Sequence, residues 1–192
     1  MQILSGLHAY DGFPIHNGEA KGANFRELEL TDYPESAWTK ALTLNLHHVF
    51  TLTRLVLPLL EAATIRTDGI PVDLACIIHI GSVDALRVSH LNNFAYSVAK
   101  AGLHYLSWHL ATTLGPRGIT SNIIASGAFP SKVIDPSKMM DPIRDMMGDE
   151  IREANPLSRI GTPEDVVGTY LYLSSRAGAW CNGATIRLDG GG

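Results

Sequence analysis

Leu74–Lys100 reads LACIIHIGSVDALRVSHLNNFAYSVAK. Its start, Leu74–Ile80, is a short apolar run that ends at Gly81. That length and the isoleucines predict a buried parallel strand rather than a helix. Ser82 then falls just past the carboxyl end of the strand, where open α/β sheets bind ligands. From Ala95 on the pattern is helical, and Tyr96 and Lys100 stand one turn apart on the same face. A free phenol, with a pKa near ~10, is a poor acid or base at neutral pH. A nearby ammonium favours the phenolate and lowers that pKa. A serine hydroxyl delivered by the strand end can orient a substrate oxygen against the phenol. Such a set can move a proton to or from a hydroxyl or a carbonyl. Tyrosine and lysine at this spacing are common on helices, so the pair alone specifies nothing.

Downstream, Ala95–Leu114 continues as a helix with Ala99, Leu103, Leu106, Leu110, Ala111 and Leu114 on its apolar side, and Gly115-Pro116 stops it. Ile119–Ala125 is a second buried strand, with Ser126-Gly127 opening the loop at its carboxyl end. Residues 128–160, rich in Pro, Met, Asp and Lys, suggest one or two short helices over a lid-like loop. Met139, Met140, Met146 and Met147 there suit an apolar substrate channel or ordinary packing equally well. Thr162 as N-cap, Pro163 at the first position and the acids Glu164 and Asp165 mark a further helix start. Val166, Val167, Tyr170, Leu171 and Leu173 form its buried side. Ala184–Leu188 is the last strand.

Upstream, residues 63–73 read as a loop from their Thr, Asp, Gly and Pro content. Pro34 is placed at a first helical position, opening a helix that runs to about Ala62. Its stripe is Trp38, Leu42, Leu46, Val49, Leu52, Thr53, Val56 and Leu60. Asn45 lies inside it. Asparagine competes for backbone hydrogen bonds, so this position is either a solvated or back-bonded surface residue or a local break whose backbone binds a water. In residues 1–33 no strand, tight glycine turn and helix can be drawn, so no dinucleotide fingerprint is present there. Met1–Lys21 is expected to be irregular or poorly ordered. The order of helices and strands is that of an α/β domain with a parallel sheet.

A chain of 192 residues suits a single domain, and 45% apolar with 18% charged residues is ordinary for a globular protein. The net charge of −4, with both signs mixed along the chain, suggests neither nucleic acid nor an anionic membrane as partner. Cys76 and Cys181 are far apart and suit a reducing compartment. The N-terminus lacks the basic lead and apolar run of a secretory signal. Val49–Ala63, interrupted by Arg54 and Pro58, is too short and polar to span a bilayer. The eight histidines show no metal-binding spacing: His47 and His48 are adjacent, and His104 and His109 fall on different helix faces. No metal is expected. Asp189–Gly192 has no following helix to make a phosphate loop.

Several segments in order carry a resemblance: TLNLHHVF, IIHIGS, YSVAK, GITSNIIASGAFPS, RIGTPEDVVGTYLYLSS and GATIRLDGGG. Together they resemble the C-terminal two thirds of the short-chain dehydrogenase/reductase family, from about Gly22 to Gly192. Within it the chain looks most like rhamnolipid-type 3-oxoacyl-acyl-carrier-protein reductases and their fungal relatives. The resemblance implies a Rossmann-like parallel sheet with flanking helices, lacking the N-terminal βαβ half with its glycine-rich turn. Residues 1–192 would form one incomplete domain. It implies an NAD(P)-dependent oxidoreductase interconverting a carbonyl and a secondary alcohol, NADP being the expected cofactor and NAD a possible one. Tyr96 would be the general acid or base, Lys100 would lower its pKa and hold the nicotinamide ribose, and Ser82 would bind the substrate oxygen. Asn45 would hold a water that relays protons to Lys100. Gly127, Phe129 and Ser131 would contact the nicotinamide. A homo-oligomer through helices 34–62 and 95–114 and a cytoplasmic location follow from the same likeness. The alternative is a catalytically inactive member acting through subunit association.

Departures from the family pattern accompany it. The Asn-Asn-Ala-Gly segment is reduced to Lys21–Asn24, and the gap between Ser82 and Tyr96 is one residue longer than usual. Ser126 replaces a proline, and Ser121 replaces a buried valine.

Overall fold

The computed structural model describes residues 2–5, 30–88, 93–129, 153 and 155–192. Two strands organise them: β4 (Ala75–Ser82), buried throughout, and β5 (Ile119–Ser126), buried up to Ser126. They pair in parallel without a break, from Ala75 opposite Ile119 to Ser82 opposite Ser126. Side chains alternate across a strand, so each strand serves two cores. Ala75, Ile77 and Ile119 pack with Leu60 and Leu114 on one face. Cys76, Ile78, Ile80 and Ile124 pack with Leu173 on the other. Helices on both faces explain why these strands read as continuous apolar runs.

β6 (Thr185–Leu188) lies beside β5, from Ile123 opposite Thr185 to Ser126 opposite Leu188. On the other side of β4 runs β1 (Gln2–Ser5), parallel, from Gln2 opposite Cys76 to Ser5 opposite His79. The sheet order is thus β1-β4-β5-β6. β1 corrects the expectation that Met1–Lys21 is irregular throughout. Its four residues are too few to show a period, and the pairing with β4 makes the strand. Lys21–Asn24 and most of the expected lid, with its methionines, lie outside the described residues.

The first helical region is α1 (Glu35–Leu42), a π turn (Thr43–His47) and α2 (His48–Ala63). Pro34 is the N-cap, extended at ψ 132°, rather than the first helical residue. Where a loop was expected, β2 (Ile65–Thr67) and β3 (Ile70–Asp73) form an exposed antiparallel hairpin. Its turn residues Asp68 and Gly69 have φ of 51° and 80°. Asp-Gly in that conformation matches the right-handed twist of paired strands. α3 (Phe94–Leu114) packs its Ala95 and Ala99 on Ala37 and Ala41 of α1. Such small residues let two helix backbones approach closely. α4 (Pro163–Ser174) covers the opposite face with Tyr170 and Leu173, whereas Val167 and Leu171, expected on its buried side, are exposed. The Thr162 N–H donates to Asp165 Oδ2 at 2.8 Å, closing one arm of a capping box. Among the described residues no helix is long and apolar enough to cross a membrane.

Candidate functional site

The carboxyl ends of β4 and β5 gather the chemistry. Ser82 is buried at the last position of β4. Its Oγ accepts the Asp84 N–H at 3.2 Å, which fixes the hydroxyl oxygen and leaves its proton for another acceptor. Asn93 Nδ2 donates to Asp84 Oδ2 at 2.7 Å, and Ser97 Oγ donates to Asn93 Oδ1 at 2.7 Å. This series runs from the strand end to the first turn of α3, so the long Ser82–Tyr96 gap is anchored at both ends. The Tyr33 phenol accepts the Ala95 N–H at 3.1 Å, occupying one of the amides that a helix start leaves unpaired. Its ring stands edge-on to Phe94, with centroids 5.3 Å apart.

Tyr96 and Lys100 follow on the inward face of α3, both buried. Lys100 Nζ donates to the Ile80 carbonyl at 2.9 Å and lies 5.7 Å from the centre of the Tyr96 ring. One ammonium therefore ties the tyrosine to the strand that ends in Ser82. Burial lowers the Lys100 pKa to about 8, so its charge is kept below that pH and lost above it.

Asn45 sits in the π turn, where the His48 N–H reaches back to the Thr43 carbonyl. Its Nδ2 donates to the Ala41 carbonyl at 3.1 Å. The expectations of a back-bonded residue and of a local break thus meet at one position, and the residue is buried rather than solvated. Leu46 of the same turn rests against Gly102 of α3, where an added Cβ would come within 3.1 Å of its Cδ2.

Beyond β5, the Gly127 N–H donates to the Leu188 carbonyl at 2.9 Å. A Cβ at Gly127 would lie 2.7 Å from that of Asp189, so the strand–loop junction accepts only glycine. The Gly161 N–H donates to the Ala128 carbonyl at 2.9 Å, and the Phe129 ring lies directly against Gly161. Gly127 and Phe129 are thereby held at the same sheet edge as Ser82. Ser131 lies outside the described residues.

A layer of buried polar groups beneath this surface is not apparent from the sequence. His79 Nε2 lies 3.2 Å from Ser121 Oγ, which lies 2.9 Å from Ser107 Oγ. His104 Nε2 accepts the Ser82 N–H at 3.4 Å. Burial first, then the charge of Lys100, lowers both imidazoles to about 4, with His104 adding to the effect on His79. Both rings are therefore neutral at pH 7. The signal in the sequence is a histidine within one apolar strand and a serine within the next. Among the described residues no three metal-ligating side chains converge.

The family described as enoyl-(acyl carrier protein) reductase matches residues 16–192. The rhamnolipids biosynthesis 3-oxoacyl-[acyl-carrier-protein] reductase of Pseudomonas aeruginosa is 35% identical over 168 residues, covering 84% of this chain and 60% of that protein. The NADP active-site complex of RhlG from Pseudomonas aeruginosa superposes with a TM-score of 0.75 at 33% identity, over 85% of this chain and 60% of that one. A 7α-hydroxysteroid dehydrogenase complexed with NADH and 7-oxo glycochenodeoxycholic acid gives a TM-score of 0.70 at 28% identity, over 84% and 57%. The chain thus spans about 60% of the length of these relatives.

Proposed function

From the membership of this chain in the short-chain dehydrogenase/reductase family, we propose that it interconverts a carbonyl and a secondary alcohol with Tyr96 as general acid or base. The observation that carries this reading is the Lys100 ammonium, buried between the Tyr96 ring and the Ile80 carbonyl two residues before Ser82. In the reductive direction the Ser82 hydroxyl donates a hydrogen bond to the substrate carbonyl oxygen. The Tyr96 phenol then transfers its proton to that oxygen as negative charge develops there, and the Lys100 ammonium stabilises the phenolate left behind. Oxidation runs the same steps backwards. When bound, the nicotinamide cofactor supplies or accepts the hydride at the substrate carbon.

For the nicotinamide half, the residues present fit. Gly127 and Phe129 are fixed at the sheet edge by backbone bonds and by the Gly161 contact. They would flank the ring with Ser131, while Tyr96 and Lys100 would hold the ribose. Asn45, in its broken helical turn, would keep a water that returns protons to Lys100. NADP is the cofactor of choice in this reading, NAD the second, and a carbonyl on an acyl chain or polyketide-like molecule is the substrate class. The reduced thiols Cys76 and Cys181 agree with a cytoplasmic location. The test is titration of NADPH and NADH by fluorescence against the purified chain, followed by turnover with Tyr96→Phe beside it. Saturable binding with loss of turnover in the variant supports the reading; no binding at millimolar cofactor sinks it.

A second reading, a non-catalytic subunit acting by association, is favoured by two exposed apolar stripes. α2 presents Leu52, Leu55 and Leu59, and α3 presents Val98, Tyr105 and Trp108. Exposed apolar side chains in rows along two helices suit an interface, and a second copy of the chain would cover them. Sedimentation of the chain as a stable oligomer without nucleotide binding would select this reading over the first.

A further inference from the structure

His104 takes no part in the proton transfer described above, yet it is built into the end of the strand that carries Ser82. It lies one turn beyond Lys100 on α3 and is 3% exposed. Its Nε2 accepts the Ser82 backbone N–H. Its ring also takes up the space of a side chain at residue 81. A Cβ on Gly81 would collide with His104 Nε2 and would lie 2.7 Å from Ile123 Cγ2. The other ring nitrogen, Nδ1, is buried without a hydrogen-bond partner among the described residues. An apolar side chain of similar size would fill the same space and leave no buried nitrogen unmatched. What the imidazole adds is one acceptor, aimed at one amide.

We propose that His104 is a positioning residue whose Nε2 holds the Ser82 amide and thereby sets the direction in which the Ser82 hydroxyl meets a substrate oxygen. The consequence for turnover rests on the carbonyl–alcohol reading above; the hold on Ser82 does not. An accepting Nε2 requires a neutral ring with its proton on Nδ1. Burial and the facing Lys100 ammonium both disfavour a second charge here, so the accepting form persists through neutral pH.

The experiment has one arm on the wild-type chain and one on variants. In the full chain labelled with 15N, the long-range proton–nitrogen spectrum of His104 is expected to show the proton on Nδ1. A ring protonated on Nε2 overturns the proposal without any variant. His104→Gln keeps an acceptor at similar reach, whereas His104→Leu fills the space without one. The Ser82 amide resonance is expected to shift in His104→Leu and to return most of the way in His104→Gln. In carbonyl reduction, kcat falls about tenfold in His104→Leu and recovers to within about threefold of wild type in His104→Gln, with the KM for cofactor unchanged. Equal kcat in the two variants, or a Ser82 amide indifferent to both, overturns the proposal. A wild-type chain without turnover fails the carbonyl–alcohol reading, and the Ser82 amide still decides whether His104 holds it.

Discussion

The two ends of the β4–β5 pair are built from opposite materials. At the amino end, Ala75, Ile77 and Ile119 meet Leu60 and Leu114 in an apolar cluster. Further along the same face of the same strands come His79, Ser121 and Gly81, and α3 answers with Ser107, His104 and Lys100. Apolar contact stabilises by area and tolerates small rotations. Buried hydrogen bonds close in one arrangement only, and each unmatched group is costly. The amino end can therefore supply stability while the carboxyl end supplies direction, and one pair of strands transmits the first to the second.

The sharpest way to break this comparison is Tyr96→Phe, which removes one oxygen from the carboxyl end. Turnover is expected to drop by about a thousandfold, with the midpoint of thermal unfolding unchanged. A loss smaller than tenfold in steady-state kinetics would show that proton transfer does not pass through this residue. Next in size is Leu60→Ala at the amino end, a side chain with no exposure. It is expected to lower the unfolding free energy by about 3 kcal/mol in urea titration, while activity per folded molecule stays constant. If cofactor turnover fell in proportion, the two ends would be coupled rather than divided in role.

Between pH 7 and 5, acid acts first on the carboxyl end. His79 and His104 are neutral in the fold, with pKa values near 4, against about 6.5 when unfolded. The unfolded chain therefore binds protons first, and stability is full above pH 6.5 and declines as the pH falls toward 4. Between pH 7 and 5 the loss is about 2 kcal/mol per imidazole at most. Denaturant titrations at the two pH values should show it, and His79→Gln should reduce it. A flat profile would place a protonated ring inside the polar layer. The smallest effect belongs to the hairpin. Arg66 Nη1 donates to the Gly69 carbonyl at 2.9 Å on the exposed surface. Arg66→Ala, which also loses the bond from Nη2 to the Pro116 carbonyl at 3.3 Å, should change stability by less than about 0.5 kcal/mol and leave turnover alone; a larger change would show that this tie to the approach of β5 carries stability.

Elements with long, consistent patterns were legible in the sequence. β4, β5 and α3 read directly because burial on both faces, or along one helical stripe, repeats over many residues. Ser82, Tyr96 and Lys100 stood out as side chains with joint chemistry, and Lys100 does bridge the tyrosine to the strand end. β1 was hidden because four residues carry no period and its strand exists only by pairing with β4. The hairpin is hidden because Asp68-Gly69 is as much a loop signal as a hairpin turn. The polar layer was hidden for a different reason. Its members lie on β4, β5 and α3, and only the register that sets Ile77 opposite Ser121 brings His79 and Ser107 to one oxygen. Ser121, in the sequence a minor replacement of valine, is the centre of that layer.

The π turn at Thr43–His47 has a bearing on how this chain tolerates change. An α-helix advances about 100° per residue, so its two ends keep a common phase only while each turn has the same length. The wide turn lets the His48 N–H skip one carbonyl and return to Thr43, which resets the phase between α1 and α2. On one side of it Ala37 and Ala41 face Ala95 and Ala99; on the other, Leu60 faces Ala75 and Ile119. The turn thereby takes in one residue beyond the α-helical count: removing one would leave a continuous α-helix with both sets still facing inward, whereas adding one would swing one of the two sets out to solvent although no packed side chain had been replaced. The segment is therefore more tolerant of losing one residue than of gaining one, a frame constraint set by geometry alone.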